Sequence, residues 1–371
     1  MQKFLSRLFN RLMKSWSWVL LIVATILIKW ASLYPDWVEK NYTYGIFPVI
    51  AKVQRFLFGW LPVSIGDLFY AFLLLVVIFR IVRFFKLLFQ KKLTRKYFAS
   101  GLQQAIFFFL FIYVFFNVLW GLNYNRRGVA GQLGLDVKQY TTADLDTLCR
   151  ALQQKLNYYA AEVDTNAREQ NIRKKSNLFR QAGATFDVAE KKYSFLSYHP
   201  RSLKTSLVGF LGSYIGFLGY YNPFTGEGQI KASIPLFMQP FVSCHEIGHQ
   251  LGYAKENEAN FAGYLACKES PSVDFRYSVY YDMYSYAIGD LYHADIKKAI
   301  GIDTLLHRVA RRDRREYSRY LNKVQNRVAP IMLRMYDSYL KMNNQPKGQR
   351  TYNEVITWLV AYYKKYGVEA L

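Results

Sequence analysis

Two histidines and a glutamate in the second half of the chain have the spacing of a metal site. His245 and His249 lie four residues apart in "SCHEIGHQLGYAKENEAN" (residues 243–260), and Glu246 lies between them. Residues four apart on a helix project from one face in successive turns, so both imidazoles can reach one ion. The pattern His-Glu-x-x-His is typical of zinc bound by two histidines with the glutamate as general base. We therefore predict that His245 and His249 bind Zn²⁺ and that Glu246 is the catalytic base.

The competing interpretation is a surface pair of histidines without a role. The flanking sequence, "MQPFVSCHEIGHQL", is strongly apolar and predicts a largely buried helix. A buried glutamate and two buried imidazoles need polar partners, which a metal ion would supply. We therefore favour the metal site.

A third ligand must come after Gly252, which is expected to stop the helix because glycine favours the left-handed conformation past a helix end. The following segment, "KENEANFAGYLAC", offers Glu256 and Glu258. If it is helical, the residue four positions after the ligand shares its face and can orient a ligating histidine. That residue is Asn260 for Glu256 and Ala262 for Glu258. We favour Glu256 as the ligand and Asn260 as the orienting group, with Glu258 as the alternative.

Two histidines and one glutamate leave a coordination position for water, which is typical of catalytic rather than structural zinc. Glu246 would take a proton from this water as it attacks a carbonyl, and could pass it to the leaving nitrogen. An extended segment before the motif, residues 226–233, could pair with a peptide substrate as an added strand. This chemistry predicts amide hydrolysis; the sequence identifies no group that stabilises the oxyanion.

The elements that position these residues are expected to be mostly helical. Residues 141–190 have a helical pattern that opens with Thr and Asp at a plausible N-cap. The exception is "GYYNPFTGEGQIKAS", residues 219–233, where Asn-Pro and Gly-Glu-Gly punctuate a short strand or hairpin. Three cysteines without a Cys-x-x-Cys pair, Cys149, Cys244 and Cys267, predict buried free thiols.

Three apolar runs at the front of the chain predict transmembrane helices. They cover about residues 17–34, 66–88 and 103–120, and with their flanks each has the roughly 17 to 25 residues that span a bilayer. Trp and Tyr gather at the run ends, where their amphipathic rings favour the membrane interface. The first run has no small-x-small cleavage site, which argues against a signal peptide.

The distribution of basic residues predicts the orientation of these helices. Lys and Arg without acids precede the first run and lie from the end of the second run to the start of the third, whereas the segment between the first two runs has no net charge. Basic loops stay on the cytoplasmic side, so the N-terminus is expected inside and everything after Gly121 outside. The eleven bases concerned are Lys3, Arg7, Arg11, Lys14, Arg80, Arg83, Lys86, Lys91, Lys92, Arg95 and Lys96.

This topology changes the meaning of the formal net charge of +23. In a soluble protein such a charge suggests nucleic acid. Here anionic lipid is the better partner for the juxtamembrane bases. We therefore expect a lipid bilayer as partner and no nucleic acid, an interpretation that a cytoplasmic location of the C-terminal part would reopen.

The site motif resembles that of the gluzincin zinc peptidases. The matching residues are His245-Glu246-x-x-His249 and Glu256-x-x-Ala259-Asn260, which are similar to the two helices of thermolysin-like and membrane-embedded CAAX-protease-like enzymes. The resemblance implies His245, His249 and Glu256 as ligands, Glu246 as base and Asn260 as their support. The interval between His249 and Glu256 is shorter than in those families.

A longer pattern is similar to an uncharacterised bacterial family of membrane proteins, known as a domain of unknown function. It comprises "WGLNYNR", "GYYNPFTGE", the metal motif and "DSYLKMNNQPKGQRTYNEVITWLVAYY". This resemblance implies an extracytoplasmic zincin-like domain on three membrane helices and no known substrate.

We therefore predict a mainly α membrane protein, with three transmembrane helices in residues 1–120 and an α+β, mostly helical zincin-like domain in residues 121–371. The expected function is that of a zinc metallopeptidase anchored in the bacterial inner membrane, with its N-terminus in the cytoplasm and its catalytic domain outside. Its substrate would be a peptide or protein of the envelope. The alternatives are a non-catalytic scaffold that keeps zinc for folding, and a zinc amidase acting on a non-peptide envelope amide.

Overall fold

The computed structural model describes residues 15–209, 217–348 and 354–371, which are mostly helical as predicted. The N-terminal bases Lys3, Arg7, Arg11 and Lys14, and residues 349–353 of the quoted C-terminal pattern, lie outside the described residues. Contacts divide the chain into two compact units. The first contains Met1–Ile50 and Ile65–Arg126, and the second contains Ala51–Ser64 and Arg127–Leu371. The predicted boundary near residue 120 did not anticipate that residues 51–64 would join the second unit.

The first unit is built from apolar helices. Its helical segments are α1 (Ser15–Ser32), α2 (Pro35–Trp37), a π-helical stretch (Val38–Ile46), the start of α3 (Phe47–Phe58), α4 (Ile65–Phe89), α5 (Arg95–Leu119) and a 3₁₀ turn (Gly121–Asn125). Tyr42 of the π-helical stretch donates a hydrogen bond of 3.0 Å to Val118 O near the end of α5.

Helices α4 and α5 are long and apolar enough to cross a bilayer; α4 contains the second predicted run, and α5 contains the third except its last residue. A third crossing follows if Trp16–Ser32 and Pro35–Phe58, which are bent by 102° at a short break, form one span together. The break comes before Pro35, which lacks the backbone N–H that a continuing helix needs. The 18 residues of α1 extend about 27 Å, close to the thickness of a hydrocarbon core.

The second unit surrounds its core with many helices. They are α6 (Val129–Gln132), α7 (Thr142–Glu162), α8 (Thr165–Arg173), α9 (Lys175–Ala189), α10 (Gln239–Gln250), α11 (Glu256–Lys268), α12 (Val273–Ala294), α13 (Ile296–Asp303), α14 (Arg308–Val324), α15 (Ala329–Met342) and α16 (Val355–Tyr366), with 3₁₀ turns at Ser194–Leu196, Leu236–Met238 and Val368–Ala370. The predicted helical stretch 141–190 is thus three helices. Thr141 and Asp144 form a reciprocal capping box at α7, which confirms the predicted N-cap.

A small sheet completes the second unit. Its strands are β1 (Leu203–Thr205), β2 (Gly219–Asn222) and β3 (Glu227–Ile230). The antiparallel pair β2–β3 is the predicted hairpin, and β1 is parallel to β3. Because β3 lies between β1 and β2, its backbone is already paired on both sides. The prediction that residues 226–233 accept a substrate strand is therefore wrong for β3.

Helices α10 and α11 pack closely because small residues face each other. A Cβ added at Gly248 would lie 3.1 Å from Ala259 O, and one added at Gly263 would lie 3.2 Å from the backbone nitrogen of His245. Larger side chains at these positions would push the two helices apart. All three cysteines are buried free thiols, as predicted.

Candidate metal site

The loop between α10 and α11 has a conformation that brings their polar residues together. Gly252 follows α10 with φ of +85°, a left-handed conformation that glycine adopts without strain. The amides of Gly252 and Tyr253 donate to the carbonyls of His249 and Gly248, which is the hydrogen-bond pattern of a Schellman motif. The chain then re-enters a helix at Glu256, only three residues after Tyr253.

His245, His249 and Glu256 converge on one point. One ligand atom from each lies within 4.8 Å of the others, and Glu256 Oε2 is 3.2 Å from His245 Nε2 and 3.5 Å from His249 Nε2. His249 and Glu256 are buried, and His245 is mostly buried. Three donor atoms at this spacing, two nitrogens and one carboxylate oxygen, can surround a single cation.

Hydrogen bonds on the far side of each imidazole hold the rings in place. His245 Nδ1 lies 2.7 Å from Asn260 Oδ1, and His249 Nδ1 lies 2.8 Å from the carbonyl oxygen of Tyr253. A carbonyl oxygen accepts, so Nδ1 of His249 carries the proton, and the amide oxygen of Asn260 requires the same of His245. The Nε2 atom of each ring then faces the carboxylate of Glu256.

This arrangement of acceptors fits a metal ion. Glu256 Oε2 is buried and makes no hydrogen bond among the described residues, although two Nε2 atoms lie close to it. A buried carboxylate oxygen that faces two imidazole nitrogens is stabilised by positive charge between them, which a metal ion would supply. Imidazole nitrogens with one carboxylate are a donor set that suits zinc, and a fourth position is left for water or substrate.

Glu256 rather than Glu258 lies beside the imidazoles. Burial alone would raise the pKa of Glu256, but His249 and His245 outweigh it and hold this pKa well below its usual range. The carboxylate of Glu258 instead packs against Gly128, where an added Cβ would lie 2.2 Å from Oε1. Lys255 Nζ is 3.7 Å from the same oxygen.

Glu246 is buried beside the convergence point, on the hairpin side of α10. A Cβ at Gly219 would lie 2.5 Å from Glu246 Oε1, and one at Gly228 would lie 3.1 Å from Glu246 Cβ. Burial raises the pKa of Glu246 to about 8, with His245 opposing and the negative charge of Glu256 adding to the rise. A positive ion at the site would lower this pKa and free the carboxylate to accept a proton.

Sequence reasoning missed two residues that support the third ligand. Tyr336 on α15 donates a hydrogen bond of 2.7 Å to Glu256 Oε1, and Gln345 Oε1 accepts one of 3.1 Å from the Glu256 backbone N–H. Gln345 occurs in the C-terminal pattern "DSYLKMNNQP" and Tyr336 comes directly before it, but no local spacing connects them to a glutamate 80 or more positions earlier. The resemblance of that pattern to a known family was the available signal for Gln345.

Comparison with known proteins places the chain in a family but gives no function. No curated protein and no solved structure matches it significantly. One family match covers residues 42–360, which include the two apolar helices α4 and α5, the hairpin and every residue of the site. The chain therefore belongs to the family described as "Protein of unknown function (DUF3810)".

Proposed function

We propose that this chain is a membrane-anchored zinc metallopeptidase that hydrolyses peptide bonds of envelope or membrane proteins. The observation that carries the proposal is the convergence of His245 Nε2, His249 Nε2 and Glu256 Oε2, together with the hydrogen bonds that hold both imidazoles as Nδ1–H tautomers. A pair of histidines without a shared ligand would not need both Nε2 atoms within about 3.5 Å of one carboxylate oxygen.

The residues of the chain have separate roles in this proposal. His245, His249 and Glu256 would hold the ion, which would lower the pKa of a bound water and polarise a substrate carbonyl. Glu246 would accept the proton that the attacking water loses as the C–O bond forms. It would then return this proton to the nitrogen as the C–N bond breaks. Asn260 and the Tyr253 carbonyl would keep both imidazoles oriented.

We further propose that the second unit faces the outside of a bacterial inner membrane. The support comes from α4 and α5, whose connection and flanks carry seven bases and no acid between Arg80 and Lys96. Basic loops stay in the cytoplasm, so a crossing by α5 would take the chain outside. An extracytoplasmic location makes envelope proteins the natural substrates.

The decisive experiment compares Glu246→Gln with His245→Ala in the full-length protein. Glu246→Gln removes the base but no ligand, so it should keep zinc by metal analysis, lose hydrolysis and cause substrate peptides to accumulate in the envelope. His245→Ala should lose both zinc and hydrolysis. If Glu246→Gln behaves like the wild type in cells while His245→Ala unfolds the protein, the zinc has a structural role and the enzyme proposal fails.

A further inference from the structure

Residues 51–64 form part of the second unit although they continue a helix of membrane-type composition. Helix α3 ends at Phe58, and beyond it Lys204 Nζ donates a hydrogen bond of 2.8 Å to Gly59 O. Gly59 packs against the backbone at Arg201, where an added Cβ would lie 2.4 Å from Arg201 O. Gln229 Nε2, on the central strand, donates one of 2.8 Å to Ser64 Oγ. The segment is therefore built into the fold around α10.

An open cavity of about 560 Å³ lies on this segment. Its lining residues all belong to the second unit and are Arg55, Phe56, Leu57, Gly59, Trp60, Pro200 and Arg201. Phe56 and Trp60 are 71% and 76% exposed, which is far more than aromatic side chains in a water-facing surface usually are. Exposed aromatic rings beside an apolar helix are typical of the membrane–water interface.

The cavity is also lined by a buried cation, Arg55, whose guanidinium carbon lies 5.5 Å from the centre of the Tyr198 ring and which has no carboxylate partner among the described residues. Arg55 is 4% exposed, and its guanidinium donates to two backbone carbonyls, Gln250 O at 2.8 Å and His199 O at 3.2 Å. In the part of the chain that the structure describes, Arg55 has no salt bridge to an acid and its Nε–H has no hydrogen-bond partner. A buried charge without a counter-charge is costly, so an anion in the cavity would be stabilised there.

The second arginine of the cavity is partly neutralised. Arg201 Nη2 donates to Asp187, whereas Arg201 Nε is buried without a hydrogen-bond partner among the described residues. The lining therefore combines one guanidinium that has no carboxylate partner among the described residues, one partly neutralised guanidinium and four apolar side chains, with no acid among the lining residues. An amphiphile with a single anionic group matches this combination better than a free anion or a neutral lipid.

We propose that this cavity binds an anionic phospholipid, with the phosphate at Arg55 and the acyl chains against Phe56, Leu57 and Trp60. Arg55 also donates to the carbonyl of Gln250, the last residue of α10. The lipid would thus lie behind the helix that carries His245 and His249. The proposal does not depend on any hydrolytic activity.

Lipid titration of the purified full-length protein in detergent, followed by native mass spectrometry, tests the proposal. Phosphatidylglycerol should bind at least about fivefold more tightly than phosphatidylcholine with the same acyl chains, the effect expected of one cation near a headgroup. Arg55→Met should abolish this preference and Arg55→Lys should retain it, because lysine keeps the charge. Equal binding of the two lipids by the wild type would overturn the proposal, as would an unchanged preference in a folded Arg55→Met variant.

Variants of exposed residues keep the test decisive if Arg55→Met fails to fold. Trp60→Ala and Phe56→Ser should weaken binding of phosphatidylglycerol several-fold, since each removes apolar contact with the acyl chains. Leu305→Ala is the matched control, because Leu305 is an exposed apolar residue of the same unit outside the cavity. Unchanged binding in both cavity variants would refute the lipid assignment. Displacement of the lipid by soluble glycerol phosphate would show that the site recognises a phosphate alone, and would refute it too.

Discussion

Tyr336 donates its hydroxyl proton to Glu256 Oε1 over 2.7 Å, although 80 positions separate the two residues in the chain. The bond restrains the carboxylate so that its other oxygen, Oε2, faces the two imidazoles. Loss of such a hydrogen bond to a ligating carboxylate typically lowers metal affinity roughly 10- to 100-fold. Helix α15 therefore belongs to the candidate metal site.

Tyr336→Phe should weaken metal binding without removing a ligand. Loss of the hydroxyl leaves Glu256 Oε1 without its donor, and we expect about a tenfold or greater fall in zinc affinity. The measurement is competition for zinc against a chromophoric chelator with purified protein. Tyr339→Phe, a neighbouring exposed tyrosine on the same helix, is the control and should bind zinc like the wild type.

Asn260 should act through its side-chain oxygen. Asn260→Ala removes the acceptor for His245 Nδ1–H and should lower zinc affinity about 10- to 100-fold. Asn260→Asp keeps an oxygen at that position and should retain most of the affinity. The same chelator competition distinguishes the two variants, and equal losses in both would mean that Asn260 contributes by packing rather than by orienting the ring.

The two glutamates at the start of α11 should differ in metal content. Glu256→Gln removes the charged ligand oxygen, and we expect the purified protein to contain well under one zinc per chain. Glu258→Gln should retain zinc stoichiometry, because Glu258 packs against Gly128 rather than beside the imidazoles. Elemental analysis of both proteins measures this, and zinc lost from Glu258→Gln but kept by Glu256→Gln would reverse the assignment.

Glu246 should destabilise the metal-free protein at high pH. Its pKa rises from an ordinary 4.5 to about 8 on folding, because burial disfavours the charged form. Because the pKa of Glu246 is higher in the folded than in the unfolded protein, its contribution to the free energy of unfolding is fully present below pH 4.5 and is lost as the pH rises through about 8. Glutamine stays neutral, so metal-free Glu246→Gln should match the wild type near pH 5 and exceed it by about 2 to 4 kcal/mol near pH 9.

Chelator-treated protein, unfolded by heat or denaturant at a series of pH values, gives this comparison. The matched control is Gln250→Glu, which places a new buried carboxyl on the same helix. Gln250 Nε2 donates hydrogen bonds to Ser202 O and Gly226 O, so a carboxylate there should lower the free energy of unfolding as the pH rises. A constant difference between Glu246→Gln and the wild type from pH 5 to pH 9 would contradict the predicted buried carboxyl.

Reporter fusions should locate the second unit. Alkaline phosphatase fused after Gly121 is expected to be active, because the enzyme folds outside the cytoplasm and α5 is predicted to carry the chain out. A fusion at Lys92, between α4 and α5, should be inactive. The reverse pattern would put the candidate metal site in the cytoplasm and make nucleic acid a partner to reconsider.

Local features were predictable from the sequence because they depend on residues close together in the chain. The four-residue spacing of His245 and His249 places them on one helix face whatever surrounds that helix. Gly252 ends α10, the Asn-Pro and Gly-Glu-Gly segments form the hairpin, and long apolar runs form α4 and α5. Each of these follows from backbone geometry or from the transfer of apolar side chains out of water.

Tertiary structure decided which residues from distant parts of the chain come into contact. Which glutamate faces the imidazoles depends on how α11 packs against α10, and sequence spacing had favoured Glu256 by a single argument about Asn260. The contacts of Tyr336 with Glu256 and of Arg55 with Gln250 cross 80 and 195 positions, and the central place of β3 depends on β1. Such contacts leave no periodic signal in the chain, because they arise only when distant segments share one core.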